Sequence, residues 1–332
     1  MFSILKKNNG LIAKLAGPLI FIIFQNIESP NGLSEEAFNL LGVTIWMAVW
    51  WVFEAVPIAV TAILPIVLFP VFGILSIQET TEQYGHKYMF LYMGGFIVAI
   101  AIERWNLHRR IALQIIKAIG SKASNLILGF MLATAFLSMW ISNTATTVMM
   151  LPIAVAITNQ IKQNSLENLQ TSYFSKALML GIAYSASIGG TATLIGTPPN
   201  LVLAGVLENT YEVKISFFDW MLFALPVSTL LLFICWKYLT SIAFKLKNLK
   251  FINSKLQINN MLKEIGKVSY EEKMVGIVFL LAAISWIFRS LLENIVSGLD
   301  DTIIAIAASI LLFIIPTQKK DRKLLTWDEA VK

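Results

Sequence analysis

Two stretches of this chain, residues 123–161 and 177–207, contain no Asp, Glu, Lys or Arg. An amphipathic helix on a soluble protein carries charge on its exposed face, so neutral runs of this length need a lipid solvent or a very large core. Composition decides for lipid. Hydrophobic residues fill 57% of the 332 positions and charged ones 14%, against roughly 45–50% and 25% in soluble domains. The same balance excludes disorder, collagen and coiled coil. A disulfide scaffold is excluded because Cys235 is the only cysteine and has no partner within the chain. The fold class is therefore an all-α polytopic membrane protein.

A helix crossing the hydrocarbon needs about 20 apolar residues. Runs at 11–27, 40–53, 57–75, 88–102, 218–239, 274–292 and 302–315 predict spans of that kind. The first resembles a signal peptide in its lysines and apolar run, but Ile23-Phe24-Gln25-Asn26 lacks small residues for cleavage, so an uncleaved first helix is expected.

The net charge of +6 does not indicate nucleic acid, because the basic residues lie between apolar runs and not on one solvated face. They record orientation instead. With the N-terminus inside, 23 of the 26 basic residues fall on the cytoplasmic side, leaving Lys87, Lys214 and Arg289 outside with mostly acidic companions. That asymmetry requires residues 123–161 to begin and end on the cytoplasmic side, as a re-entrant hairpin. The expected location is the cell inner membrane, multi-pass, with a cytoplasmic N-terminus.

Both neutral stretches are interrupted. Ser138, Ser142, Asn143, Thr144, Thr146 and Thr147 crowd the middle of the first. A helix arriving at Trp140 and another leaving from Ala145 would meet at Ser142-Asn143-Thr144, residue types favoured as N-caps. The second arm would then present free N–H groups and a positive dipole end to an anion without any Lys or Arg. The carbonyls ending the first arm, with Ser138 and Asn143, would supply hard oxygen ligands for a small cation. Ser and Thr also hydrogen-bond across packed membrane helices, and that plainer account suits one isolated hydroxyl better than six. In the second stretch, Gly189, Gly196, Pro198 and Pro199 break a helix running from about Lys176, and a new helix starts at Pro199. Gly181 and Ser185 read as close-packing positions. Paired hydrophobic segments interrupted by Gly, Pro and polar residues point to a transporter's midplane site.

Three motifs carry a resemblance. Ser142-Asn143-Thr144-Ala-Thr-Thr-Val-Met-Met-Leu-Pro152, Ile195-Gly-Thr-Pro-Pro-Asn200 and Trp50-Trp51-Val-Phe-Glu54-Ala-Val-Pro-Ile-Ala-Val-Thr-Ala-Ile-Leu-Pro65 resemble the divalent anion:sodium symporter family of dicarboxylate, citrate and sulfate transporters. The resemblance implies an inverted-repeat, elevator-type fold, a homodimer in the full-length family, and no cofactor beyond sodium as coupling ion. By motif position it implies that Ser138, Ser142, Asn143 and Gly196 ligate sodium. It places Ser142, Asn143, Thr144, Thr197, Pro198, Pro199 and Asn200 around a small carboxylate anion. The expected organisation is a mainly scaffold part over 1–122, a transport part over 123–244, an amphipathic connector over 245–273, and the first two spans of a second repeat over 274–332. Ser-Asn-Thr occurs once, so the reading expects a C-terminally truncated member with an incomplete second repeat.

The leading expectation is sodium-coupled transport of succinate- or malate-like anions. A non-transporting remnant, or one half of a split gene, is the alternative class; sulfate or another oxyanion, or exchange, are alternatives within transport. An enzyme is not expected: Cys235 is a lone thiol, and His86 and His108 lack metal-ligand spacing. Glu54 reads as a carboxylate at a turn and not as a proton relay.

Overall fold

The computed structural model describes residues 2–120, 122–164, 168–246, 254–318 and 322–331. Lys247, Lys250, Lys319, Lys320 and Lys332 of the orientation tally, and residues 247–253 of the expected connector, lie outside the described residues. The chain divides into two compact units, Met1–His86 and Lys87–Lys332.

In the first unit α1 (Phe2–Gln25) packs on α2 (Glu35–Val52). Ser34 starts α2, its hydroxyl accepting the Ala37 N–H at 3.2 Å, and Glu35 and Glu36 favour the positive end of the dipole. Phe21 fills the seam, its ring 4.7 Å from that of Phe72 and edge-on to it. Glu54 sits in an exposed turn after α2 with φ of 46°.

The run 57–75 differs from the single span its hydropathy predicts. It forms two short helices, α3 (Ile58–Ala62) and α4 (Leu64–Val71). Pro65 explains the break: it lacks an N–H, and its ring would collide with the carbonyl four residues earlier. The unit ends with α5 (Ile77–Tyr84), whose Ser76 and Glu79 form a reciprocal capping box.

The second unit contains α6 (Lys87–Arg104), α7 (Leu107–Ile119), α8 (Ala123–Ser138), α9 (Asn143–Asn164), α10 (Asn168–Gly190), α11 (Pro198–Tyr211) and α12 (Phe217–Lys237). A π-helical turn, Tyr238–Ala243, closes α12. Then follow α13 (Ser254–Ile265), α14 (Tyr270–Ile287), α15 (Arg289–Leu292), α16 (Asp301–Ile314) and α17 (Trp327–Ala330). The run 274–292 is thus divided between α14 and the single turn α15. By length and composition, Ile77–Arg104, Asn143–Ile161 and Phe217–Ala243 are long and apolar enough to cross a membrane, among the described residues. Shorter apolar helices cover Leu11–Gln25, Ile58–Val71, Ala123–Ser138 and Asp301–Ile314.

The core runs between α8 and α10, and between α6 and α16. Ser309 bridges the second seam, its hydroxyl 2.9 Å from the Gly94 carbonyl. An aromatic stack joins three elements: the Phe217 ring lies 4.7 Å from Trp286 at 16° and 5.9 Å from Trp140 at 21°. Beside it, the Phe217 N–H donates to the buried Asp301 carboxylate at 2.8 Å.

Polar contacts gather at the far ends of α6 and α14. Arg110 grips Glu272 through two bonds of 2.5 and 2.9 Å and donates a third to the Gly266 carbonyl at 3.0 Å. Glu272 raises the Arg110 pKa further through these bonds. Arg104 pairs with Glu329, and the Trp105 indole donates to the Leu324 carbonyl at 2.8 Å. The chain after α16 therefore folds back onto the end of α6. His108 is buried beneath α7, one ring nitrogen 3.2 Å from the Ile102 carbonyl.

Two outcomes follow. Glu272→Gln strands a nearly buried guanidinium and should destabilise the unit by about 3 kcal/mol, read as a lowered melting temperature in detergent; an unchanged value removes the pair from the account. Burial lowers the His108 pKa, outweighing the Ile102 carbonyl. The unfolded chain then takes up the proton first, so the contribution of His108 is present above about pH 6.5 and is lost as pH falls through the depressed folded value. Acidification from about pH 7.5 to 5.5 should lower the melting temperature of wild type more than that of His108→Gln.

Candidate functional site

The first neutral stretch breaks where its polar residues cluster. α8 ends at Ser138 with Met139 as its cap, and α9 starts at Asn143. Ser142 is the N-cap of α9: its hydroxyl accepts the Ala145 N–H at 3.2 Å, and its carbonyl accepts that of Thr146 at 2.9 Å. Ser138, fully buried, donates to the Asn143 side-chain oxygen at 2.6 Å. One hydrogen bond therefore closes the turn across the end of one helix and the start of the next.

The second stretch breaks after Gly190 and resumes at Pro198, which with Pro199 occupies the first helical turn where no N–H is needed. Residues 191–197 between them are held by side chains. Asn200 donates from its amide nitrogen to the Gly190 carbonyl at 2.9 Å and to the Thr193 carbonyl at 2.7 Å. The Thr193 hydroxyl accepts the Gly196 N–H at 3.1 Å and donates to the Met139 carbonyl at 2.5 Å. Trp220 and Ser228 of α12 hold Thr191 from the other side, at 3.0 and 2.9 Å.

These contacts bring the two breaks together. A methyl group added at Gly190 would fall 2.2 Å from the Asn143 side-chain oxygen, and one at Gly189 would fall 2.2 Å from the Ala135 carbonyl oxygen. One at Gly196 would fall 2.4 Å from the Gly190 carbonyl oxygen. Glycine is required here by close approach of backbone to backbone. Gly181 lies against Met131 in the same α8–α10 seam, as its small-residue spacing predicts.

Of the residues singled out by sequence, Ser138, Ser142, Asn143 and Gly196 thus gather at one junction, linked through Gly190 and Thr193. Asn200 is buried and braces the loop. Thr144, Pro198 and Pro199 are exposed and Thr197 is partly so; neither threonine makes a side-chain hydrogen bond among the described residues. No charged residue belongs to either break. Positive potential comes from the starts of α9 and α11, and negative potential from carbonyls ending α8 and α10.

Sequence reading assigned no role to Thr193, because a threonine in a loop has no pattern that announces its partner. Thr146 is fully buried with its hydroxyl unpartnered among the described residues, and so is the Trp140 indole N–H. Among the described residues no group of three His, Cys, Asp or Glu could hold a metal, so any cation here meets only neutral oxygens.

A family model described as the sodium:sulfate symporter transmembrane region matches residues 6–332. The sodium-dependent dicarboxylate transporter SdcS of Staphylococcus saprophyticus is 42% identical over 328 residues, covering 96% of this chain and 63% of the relative. SdcS proteins of Staphylococcus aureus strains bovine RF122 / ET3-1 and USA300 are each 43% identical over 329 residues, with the same shares. The chain spans 63% of the length of these curated relatives. The family and these relatives are transporters, not enzymes.

Two substitutions separate packing from site. Gly189→Ala should lower folded yield, because the methyl meets backbone. Asn200→Ala leaves the Gly190 and Thr193 carbonyls unpaired and should cost about 2 kcal/mol or more, read by thermal melting; wild-type stability would show that the brace is dispensable.

Proposed function

We propose that this chain, which belongs to the sodium:sulfate symporter family, carries the sodium- and anion-binding site of a secondary transporter for C4-dicarboxylates. The observation that carries the reading is the meeting of two interrupted helices, within charge-free segments, at one junction of hydroxyls, carbonyls and helix starts. The SdcS relatives are described as sodium-dependent dicarboxylate transporters, which favours dicarboxylate over sulfate as cargo.

Ser138, Ser142, Asn143 and Gly196 would offer neutral hard oxygens to sodium, the ligand type that alkali and alkaline-earth cations prefer. Ser142, Asn143 and Thr144 at the start of α9, with Thr197, Pro198, Pro199 and Asn200 at the start of α11, would face one carboxylate. Neither helix start alone compensates a dianion. A bound cation supplies the missing charge at short range, where a low dielectric makes it worth several kcal/mol, so anion binding requires sodium. This is the physical basis of coupling without Lys or Arg in the site.

In this reading residues 123–244 form the moving part of an elevator and residues 1–122 mainly its scaffold, and the connector 245–273 leads to the first two spans of a second repeat over 274–332. The helices cross the cell inner membrane with the N-terminus inside, residues 123–161 form a re-entrant hairpin, and the full-length protein is a homodimer of inverted repeats.

The test uses the 332-residue chain in two measurements. Succinate at about 100 times its Kd should stabilise the folded protein by about 2.7 kcal/mol in sodium and not in choline, and Asn143→Ala should abolish the shift. Labelled succinate uptake into proteoliposomes should then require an inward sodium gradient. Stabilisation equal in sodium and choline, or intact in Asn143→Ala, overturns the site. Binding without uptake assigns this chain to a non-transporting form, and competition by sulfate but not malate reassigns the cargo.

A further inference from the structure

A concentration of unpaired positive charge lies away from the two breaks, where two amphipathic helices meet. α7 buries His108, Ala112, Leu113 and Ile116 and exposes Lys117. α13 buries Ile258 and Met261 and exposes Asn260 and Lys263. The two helices pack on each other, and an open groove of about 560 Å³ lies between them, lined by Lys117, Leu256, Asn259, Asn260, Lys263 and Lys267 among others. Among the described residues, none of its three lysines is in an ion pair. Glu264, the acidic neighbour on α13, does not line the groove.

The position of the groove follows from the polar grip described above. α7 continues from the end of the apolar helix α6, and α13 leads into the apolar helix α14. Arg110 ties α7 to Glu272 in the first turn of α14 and to the Gly266 carbonyl. The end of α6 and the start of α14 therefore lie close together, with the groove beside them, where α6, if it spans a membrane, would emerge from the hydrocarbon. Exposed apolar side chains accompany the lysines: Leu256, which lines the groove, is 60% exposed, and Val268, next to Lys267 in the chain, is 57% exposed, with Tyr270 two residues further on. Lysines beside exposed apolar side chains and a tyrosine suit a membrane interface better than a solvated protein surface. Immediately before α13 the sequence adds Lys245, Lys247 and Lys250, and Lys255 follows in its first turn.

We infer that this groove binds the phosphodiester headgroup of an anionic phospholipid, with Lys117, Lys263 and Lys267 around the phosphate and the Asn259 and Asn260 amides as neutral donors. The inference does not depend on the sodium and anion site proposed above. Each lysine near an anionic surface strengthens binding about fivefold, so three give on the order of 100-fold. The acyl chains of the bound lipid would lie along Leu256 and Val268. Such a lipid would fasten α13 to α7 at the point where the connector enters the second half of the chain.

The purified full chain, titrated with phosphatidylglycerol or phosphatidylcholine in native mass spectrometry, tests this directly. Wild type should retain phosphatidylglycerol at least about tenfold more strongly than phosphatidylcholine, a conservative fraction of that factor. Combined Lys117→Gln, Lys263→Gln and Lys267→Gln should erase the preference, and the three corresponding Arg substitutions should keep it. Single Lys263→Gln, the mildest change, should lower it severalfold, and it serves if the triple variant does not fold. Equal retention of the two lipids by wild type, or an unchanged preference in the Gln variants, overturns the proposal. Displacement of phosphatidylglycerol by millimolar inorganic phosphate would assign the lysines to a free anion and overturn the lipid as ligand.

Discussion

A backbone interrupted inside an apolar environment must find partners for the peptide groups the helix no longer satisfies. In this chain each of two interruptions is satisfied largely by side chains of its own break, and one bond ties the two together. The Met139 carbonyl that α8 leaves free is taken by the Thr193 hydroxyl, and the Gly190 carbonyl at the end of α10 is taken by Asn200 from the next helix. The close α8–α10 seam, with Gly189 on the Ala135 backbone, sets the distance at which that tie forms. The glycines of 189–196 are thus a requirement of hydrogen-bond accounting as much as of packing.

Much of this was legible from residue types. Ser142 before Asn143 is a strong N-cap, and α9 starts there; Gly189-Gly190 and Pro198-Pro199 end one helix and start another within a residue of the expected positions. Hydropathy alone failed where local chemistry competes with it. The run 57–75 reads as one span but carries Pro65 in its middle, and the proline divides it. The partners of Thr193 and Asn200 were not legible, since a side chain reaching from residue 193 to 139 leaves no periodic trace. Nor does charge counting show that Arg110 and Glu272, far apart in sequence, grip one another.

Charge is excluded from both breaks and gathers at the helix ends, and the two facts belong together. Ion pairs such as Arg110–Glu272 and Lys87–Glu208 tie the first turns of α7 and α14, and the start of α6 and the last turn of α11, to one another. Glu208 shows the balance locally: burial raises its carboxyl pKa, yet hydrogen bonds from Lys87 and Tyr88 and the charges of Lys87 and Lys214 outweigh that and leave it below the usual range. The anchors are polar and directional, and the interior they position is neutral.

The stack of Trp140, Phe217 and Trp286 has a mechanical meaning. Trp140 follows directly on α8, Phe217 starts α12, and Trp286 belongs to α14, so the rings lie between residues 123–244 and residues 274–332. Nearly parallel rings resist separation, because pulling them apart exposes apolar area, and the Phe279 ring of α14, edge-on to Trp140 at 4.9 Å, stands against sliding in their plane. A directional bond, from the Phe217 N–H to the Asp301 carboxylate, lies beside them. The cluster therefore clamps the turn after α8 and the start of α12 to α14 through apolar contact, and the Phe217–Asp301 bond gives that contact a direction.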